Sequence, residues 1–274
     1  MILKKIVFPI KDITFAHLAA TAKKYSHSDF DLIRQAFEQK VLIENDNLEL
    51  LENFIKSFDD KKNIKSQLYQ DVFASFIIGE KFDKTFLEFG ATDGLNLSNS
   101  YLLENSFNWK GALSEPSPQW HDSLIKNRKK SKIIFKCIWK ESGRKMDFFM
   151  SDHGELSTLK DFVDSDRISV PKNTELRKKS GKTISVETIS LNDVIKEYFS
   201  NICPSYISID TEGSEYEILK SLDLDNFRPR LFTIEHNFTQ NELKIDKHLI
   251  ANGYKRIFRK LTAFDAWYIA NEVL

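Results

Sequence analysis

The chain lacks several features that mark common protein classes. It contains only two cysteines, Cys137 and Cys203, among 274 residues. Two cysteines are too few for a disulfide framework and fit a reducing compartment, so we expect a cytoplasmic protein. No apolar run is long enough to span a membrane, and the first ten residues lack the apolar core of a signal peptide. We therefore expect no membrane span.

Net charge is also absent. The 40 Lys and Arg residues balance the 40 Asp and Glu residues, which gives a formal net charge of zero. Proteins that bind nucleic acids by neutralising phosphates carry a clear excess of basic residues. We therefore expect a small-molecule or glycan partner and no nucleic acid.

The two common glycine motifs for nucleotides are missing. Gly90 and Gly94 form G-x-x-x-G, which differs from the dinucleotide motif G-x-G-x-x-G, and no G-x-x-x-x-G-K-[ST] occurs. The glycines instead follow an apolar run, Phe86 to Phe89, and precede a predicted helix from Asn96 to Asn105. A strand, a glycine turn and a helix N-terminus together form a ligand cradle. Glu88, inside the strand, would suit a ligand that carries an ammonium group.

From residue 86 onward, predicted strands alternate with predicted helices. This alternation favours an α/β fold with a parallel sheet. Residues 133–138 are predicted as one strand, residues 152–182 as a long polar loop with a functional or mobile role, and Tyr254–Phe258 with Ala266–Ile269 as an antiparallel pair.

The first 65 residues contain no glycine and show helical patterns. They predict an N-terminal helical extension, residues 1–65, ahead of an α/β domain, residues 66–274. The extension could act as a cap on the main domain, as a lid that binds an acceptor, or as the surface of a homodimer.

Acidic residues stand at the carboxyl ends of four predicted strands. They are Glu88, Glu115, Asp210 and Glu235. Ligands of open α/β sheets bind at this edge. Glu115 lies roughly 20 to 30 residues after the glycine turn, where an acid suits the two hydroxyls of a ribose. The first half of the sheet therefore predicts a nucleoside site.

The second half carries a denser group, because Glu212 follows Asp210 and His236 follows Glu235. His236 or Asp210 could remove a proton from a substrate hydroxyl. Alternatively, Asp210, Glu235 and His236 could hold a divalent ion, and such mixed ligands would favour Mn²⁺ or Fe²⁺ over Mg²⁺. A third interpretation is that helix N-termini and nearby lysines satisfy these acids, above all Glu212.

These stretches resemble the FkbM family of S-adenosylmethionine-dependent methyltransferases, from about residue 66 to residue 274. Two departures are Thr92, where Asn is common in the family, and Thr211, where Val or Ile is common. The similar residues are Ser66-Gln67 with Gln70-Asp71, Phe86 to Ala91 with Asp93-Gly94 and Ser98-Asn99, Trp109 to Gly111 with Glu115-Pro116, Tyr206 to Gly213 with Glu215 and Leu219, Glu235 to Asn237, Gly253-Tyr254, and Asp265 to Tyr268.

The resemblance implies a class I methyltransferase fold, a Rossmann-like and mainly parallel seven-stranded sheet with helices on both faces. It implies S-adenosylmethionine as cofactor, with its methionine part at Glu88 and the glycine turn, its ribose at Glu115 and its adenine near Cys137 and Ile138. The usual reaction would be O-methylation of a sugar or natural product. The implied cofactor residues are Glu88, Gly90, Ala91, Asp93, Gly94, Ser98, Asn99, Glu115, Pro116, Cys137, Ile138 and Asp210. The candidate catalytic residues, from the group described above, are Asp210, Glu212 and His236.

Two other functions compete with this one. An enzyme that uses a nucleotide sugar or a dinucleotide could also hold a ribose at Glu115, but the missing third glycine argues against it. A non-catalytic binding module could keep the same fold. Such a module would be expected to lose its acids at the sheet edge, and this chain keeps all of them.

Overall fold

The computed structural model describes residues 63–259 and 261–274. The predicted N-terminal extension and the dimer surface expected on it lie outside these residues, except for residues 63–65. The proposed boundary between residues 65 and 66 therefore stays a prediction. Within the described ranges, no helix combines the length and apolar character that crossing a bilayer requires.

The described residues alternate strands and helices, as the sequence predicts. The strands are β1 Thr85–Phe89, β2 Lys110–Ser114, β3 Lys132–Ile134, β4 Cys137–Trp139, β5 Lys145–Ser151, β6 Thr158–Leu159, β7 Gly181–Ser190, β8 Tyr206–Ile209, β9 Leu231–Glu235, β10 Tyr254–Ile257 and β11 Asp265–Ala270. The helices are α1 Gln70–Ile78, α2 Tyr101–Phe107, α3 His121–Asn127, α4 Pro171–Lys179, α5 Leu191–Phe199, α6 Glu215–Lys220 and α7 Asn241–Ala251.

A seven-stranded sheet forms the centre of the fold. Its strand order is β10-β11-β9-β8-β1-β2-β3. Neighbouring strands from β9 to β3 pair in parallel, whereas β11 runs antiparallel to both β9 and β10. The mainly parallel seven-stranded sheet of a class I methyltransferase fold is thereby confirmed, as is the antiparallel pair formed by the last two strands.

Helices cover both faces of this sheet because the strands are apolar on both sides. Phe86 of β1 packs on one face with residues of α1, α2 and α3. Leu87, the next residue, packs on the opposite face with residues of α5, α6 and α7. Successive side chains of a strand point to opposite faces, so a continuous apolar run fills two cores at once.

The predicted strand at residues 133–138 is wrong, because the chain leaves the main sheet halfway along it. β3 ends at Ile134 and pairs with β2, whereas β4 begins at Cys137 and pairs with β7 in a second sheet, ordered β4-β7-β5-β6. Phe135 between them is 42% exposed. Since all of these residues suit a strand, the local sequence does not reveal the break.

Two further predictions change in detail. The helix expected from Asn96 begins only at Tyr101, since turns fill residues 92–100 and Leu97 adopts a φ of 60°. The polar stretch 152–182 contains β6 and α4 and is not a plain loop. The buried residues of α4 are Thr174 and Arg177, so this helix shows no apolar periodicity in the sequence.

Candidate functional site

A cavity of about 390 Å³ opens where β1, β2, β8 and β9 end. Residues 154–177, here called the wall segment, close one side of it through residues such as Leu156 and Asn173. The predicted site residues that line it are Glu88, Gly90, Ala91, Ser98, Asn99, Glu115, Pro116, Cys137, Ile138, Asp210, Glu212 and Glu235. The fold therefore brings these residues together in one cavity at the carboxyl edge of the sheet.

Gly90 allows β1 and β8 to approach closely at the cavity floor. It adopts a φ of 72°, and a Cβ atom built there would lie 1.8 Å from the carbonyl oxygen of Asp210. The backbone N–H groups of Gly90 and Ala91 both donate to the carbonyl oxygen of Ser114, at 3.1 and 3.3 Å. The turn is thereby fixed above the ends of three neighbouring strands.

Asp93 and Gly94 shape this turn without lining the cavity. The Asp93 carboxylate accepts the backbone N–H groups of Leu95 and Asn96, both at 2.8 Å. A Cβ atom on Gly94 would lie 2.5 Å from Cγ of Arg128. Their predicted contact with a cofactor thus does not match the cavity lining, and their contacts explain why these residue types stand here.

Glu88 lines the cavity and also holds the loop that leads to α2. Its carboxylate accepts the Ser98 hydroxyl at 3.0 Å and the Asn99 backbone N–H at 2.8 Å, and it bonds the Ser100 hydroxyl as well. Arg128, 1% exposed, places its guanidinium 3.7 Å from the same carboxylate. The same guanidinium also pairs with buried Glu104, at 3.0 Å, so Glu88 shares its cation with a second carboxylate. The contact of Glu88 with an ammonium group stays a prediction.

Among the residues that the structure describes, only backbone groups hold the Glu115 carboxylate in place. Its two oxygens accept the N–H groups of Thr92 at 2.9 Å and Ser117 at 2.8 Å. Each carboxylate oxygen keeps room for a further hydrogen bond, so two hydroxyls of a ligand can still donate to it. Burial raises the pKa of Glu115 to about 7, and the two backbone hydrogen bonds counteract this only in part.

Asp210, Glu212 and Glu235 form the acid cluster. One carboxylate oxygen from each lies within 4.8 Å of the others. Burial raises the pKa of all three groups, and the charge of Asp210 adds to the effect for Glu212 and Glu235. Like charges this close in a buried site cannot all stay ionised without a proton or a cation. The cluster is therefore suited to accept a proton or to bind a metal ion.

The turn that carries this cluster is held by Glu215, which the sequence analysis names without a role, and by Arg177, which it does not name. Glu215 accepts the N–H groups of Thr211 at 3.0 Å and Gly213 at 2.8 Å. Arg177 of the wall segment donates to the Glu212 carboxylate at 2.6 Å. No local motif predicts the contact between Arg177 and Glu212, since the two residues lie 35 positions apart.

His236 does not join the acid cluster, contrary to prediction. Its Nδ1 accepts the backbone N–H of Phe238 at 3.0 Å, so the proton lies on Nε2, 3.1 Å from the carbonyl oxygen of Asp265. Burial lowers the pKa of His236 to about 4, which keeps the ring neutral. With both nitrogens engaged and the ring off the cavity surface, His236 fits neither the predicted base nor the predicted metal ligand.

The geometry of the cavity agrees with a family match along the chain. The model of the methyltransferase FkbM domain matches residues 88–264, which is more than half of the chain. The chain belongs to the FkbM methyltransferase family. It is therefore an S-adenosylmethionine-dependent methyltransferase, as the quoted motifs predict.

Solved structures similar to this FkbM methyltransferase share little sequence with it. Human methyltransferase 10 domain containing protein is 13% identical, with a TM-score of 0.40, and the alignment covers 81% of this chain and 92% of that one. The SAH-bound methyltransferase PaMTH1 of Podospora anserina is 11% identical, with a TM-score of 0.38 and coverages of 90% and 96%. A fibrillarin/Nop5p complex gives 11% identity, a TM-score of 0.34 and coverages of 72% and 79%. No curated protein matches the chain.

Several residues of the FkbM cavity had no role in the sequence prediction. Asn237 and Phe238 line it after β9, and both adopt a left-handed backbone, with φ of 45° and 54°. His236 stabilises this turn through its bond to Phe238, which explains a histidine at that position. The sequence Glu235-His236-Asn237 predicts a functional position at the end of β9, but it does not predict which of these side chains faces the cavity. Further members of this group include Gln67, Asn96, Leu97, Phe148, Leu159, Asn173 and Phe264.

Proposed function

We propose that this FkbM methyltransferase methylates a hydroxyl group of a sugar, a glycan or a natural product. The observation that carries the proposal is a single cavity with Glu115 at the end of β2 and the acid cluster at the ends of β8 and β9. When bound, S-adenosylmethionine supplies a methyl group on a positively charged sulfur. An acceptor hydroxyl becomes a good nucleophile only when its proton is drawn off, and an acid cluster can provide that step.

The cofactor side of the proposal lies at β1 and β2. Glu115 offers the two acceptor oxygens that a ribose diol requires, since each oxygen accepts one backbone N–H and keeps a lone pair for a further hydrogen bond. Cys137 and Ile138 add apolar surface on the same side of the cavity, and burial raises the pKa of the Cys137 thiol to about 12, which keeps it uncharged. These residues fit a nucleoside that carries no charge on its sugar or base.

The acceptor side lies at β8 and β9. Asp210 is the proposed base, because burial together with the charges of Glu215 and Asp265 raises its pKa to about 7. A base works best when its pKa lies near the working pH. Glu212 and Glu235 would keep a proton within the cluster after Asp210 accepts it. His236 is not part of this proposal, because both of its ring nitrogens are occupied.

A divalent ion is the second candidate for activating the hydroxyl. Without His236, the donors are the carboxylates of Asp210, Glu212 and Glu235, whose oxygens lie close enough to share one ion. An all-oxygen donor set favours Mg²⁺ or Mn²⁺ over Fe²⁺. The acid cluster thus fits a hard cation better than the mixed ligand set that the sequence suggested.

Calorimetric titration of S-adenosylhomocysteine, with and without Mn²⁺, tests the cofactor. We expect micromolar binding, and a change in affinity on adding Mn²⁺ if the ion enters the same cavity.

Transfer of tritiated methyl groups from S-adenosylmethionine to a panel of methyl glycosides, oligosaccharides and aromatic alcohols then tests the reaction. A metal-dependent reaction should stop with EDTA and resume with Mn²⁺, whereas indifference to EDTA would leave Asp210 as the base.

Two results would contradict the proposal. Binding of NADH in place of S-adenosylhomocysteine would favour the dinucleotide enzyme. Cofactor binding without transfer to any acceptor in the panel would favour a non-catalytic module.

A cytoplasmic location remains our expectation, because neither cysteine forms a disulfide.

A further inference from the structure

Arg177 is buried beside the acid cluster yet takes no part in the proposed chemistry. It lies on α4 in the wall segment, its side chain is 0% exposed, and it is not among the residues that line the cavity. A buried arginine requires partners for its charge and for five N–H donors. The identity of those partners indicates what the residue does.

All five donors of Arg177 have acceptors. Nε donates to the Leu156 carbonyl oxygen at 2.7 Å, and Nη1 donates to the Val163 carbonyl oxygen at 3.1 Å and to Asp166 at 2.8 Å. Nη2 donates to Asp166 at 3.2 Å and to Glu212 at 2.6 Å. Four of these bonds tie the wall segment together, and the fifth leaves it to reach the acid cluster.

Other contacts join the wall segment to the same turn. The Thr158 hydroxyl lies 3.0 Å from the Glu212 carbonyl oxygen, and the Ser165 hydroxyl lies 3.3 Å from it. A Cβ atom on Gly213 would lie 2.4 Å from Oγ of Ser165. The turn and the wall segment are therefore in direct contact, and the backbone of Glu212 is held against the segment that carries Arg177.

We infer that Arg177 is a positioning residue, which fixes the Glu212 carboxylate in the acid cluster and so aligns the cluster with the wall segment. Lysine can replace it only in part, because an ammonium group has three donors and no planar fork for Asp166 and Glu212 together. The inference rests on the proposed function, since it assigns Arg177 to the activation of the acceptor. It goes beyond that function because it assigns a role to a residue that does not line the cavity.

A double-mutant cycle between Arg177 and Glu212 tests this role. The variants are Arg177→Met, Arg177→Lys, Glu212→Gln and the two double combinations, and the control is Lys178→Met. Lys178 lies next to Arg177 on α4 but forms an exposed ion pair with Asp164. Methyl transfer is measured at saturating S-adenosylmethionine with the acceptor that the wild-type protein methylates, and S-adenosylhomocysteine affinity is measured by calorimetry.

Arg177→Met should lower the transfer rate by roughly 10²-fold, because a misplaced group near the reacting atoms can cost that much. Arg177→Lys should lie between this variant and wild type, and Lys178→Met should match wild type. S-adenosylhomocysteine affinity should change by less than about twofold in each, because the cofactor residues make no described contact with Arg177. Adding Arg177→Met to Glu212→Gln should lower the rate little further, because residues that act through each other are not additive.

Multiplicative effects of the two substitutions would overturn the inference, since Arg177 would then act independently of Glu212. A parallel loss of S-adenosylhomocysteine affinity would also overturn it, because Arg177 would then only maintain the cavity. If Arg177→Met fails to fold, the cycle is read with Arg177→Lys. If wild type transfers no methyl group, the proposed function fails on its own. The same variants are then compared by their free energies of unfolding, and additive losses for the two substitutions would show that Arg177 and Glu212 do not interact.

Discussion

At the scale of single residues, Glu115 is the group most sensitive to pH in the cofactor half of the cavity. Its pKa of about 7 means that the carboxyl is largely protonated below that pH in the unliganded protein. A ribose hydroxyl donates to the ionised form, so binding below pH 7 must release a proton. We expect the affinity for S-adenosylhomocysteine to be constant above about pH 8 and to weaken by up to about tenfold per pH unit below 7.

Calorimetry across this pH range, with Glu115→Gln as the comparison, checks the prediction. Glutamine cannot ionise, and its NH₂ group would face a backbone N–H of Thr92 or Ser117. The variant should bind about 10- to 100-fold more weakly, consistent with the loss of charge-assisted hydrogen bonds of roughly 1.5–3 kcal/mol. Its affinity should also no longer depend on pH near 7. A wild-type affinity that is flat from pH 6 to 8 would remove Glu115 from the ribose site.

Asp210 belongs to the same scale but to the other half of the cavity. Asp210→Asn keeps the size of the side chain and removes its capacity to accept a proton. Transfer of tritiated methyl groups should fall by about 10²-fold or more, the range that general bases contribute. Calorimetry should show S-adenosylhomocysteine affinity within about twofold of wild type. An unchanged transfer rate would exclude Asp210 as the base.

At the scale of elements, the contact between the wall segment and the turn after β8 depends on Gly213. This glycine has a φ of 124°, and a Cβ atom there would lie 2.4 Å from Oγ and 2.7 Å from Cβ of Ser165. Gly213→Ala should therefore lower the free energy of unfolding by about 2–4 kcal/mol, from backbone strain and steric overlap together. Urea denaturation measures the change.

Gly143 provides a matched control for this substitution. It also has a positive φ, of 77°, but a Cβ atom there meets nothing within 4 Å. Gly143→Ala should cost only the backbone strain, about 1 kcal/mol. The pair Gly213→Ala with Ser165→Gly should recover part of the loss, because it removes the overlapping side chain. Equal losses for Gly143→Ala and Gly213→Ala would mean that contact with the wall segment adds nothing.

Elements also show how far the sequence predicts this structure. Strands such as β1 and β8 were predictable because each is a short apolar run that ends at an acid or a glycine, and those ends define the cavity. His236 was assigned incorrectly because the turn at Asn237 and Phe238, not the residue type, decides which side chain faces the cavity. Arg177 escaped prediction because its partner Glu212 is distant in the sequence and α4 buries polar groups.

At the scale of the whole molecule, one hydrogen-bonded group joins the first described helix to the last strand. Asp265, at the start of β11, accepts the Gln70 side-chain amide and the Trp267 indole N–H, each at 3.0 Å. Asp265 is 3% exposed and Gln70 is 3% exposed. Residues 195 positions apart are thereby held together beneath the cavity.

Gln70→Ala should weaken the whole domain and not only α1. Removal of one donor from a buried carboxylate costs about 1–3 kcal/mol. We expect a lower urea midpoint with a single transition, seen equally by tryptophan fluorescence and by circular dichroism. Asn105→Ala, on the exposed side of α2, is the control and should change stability by less than about 0.5 kcal/mol. Separate transitions for the two probes would show that α1 unfolds alone.

The position of β11 between β9 and β10 also has a consequence for the order of assembly. β9 and β10 both precede β11 in the chain, so the strand that joins them is the last of the three to be made. Until β11 inserts, one apolar edge of β9 stays unpaired. Unpaired edges of this kind recruit other chains. Delayed insertion of β11 should therefore favour aggregation of the newly made protein.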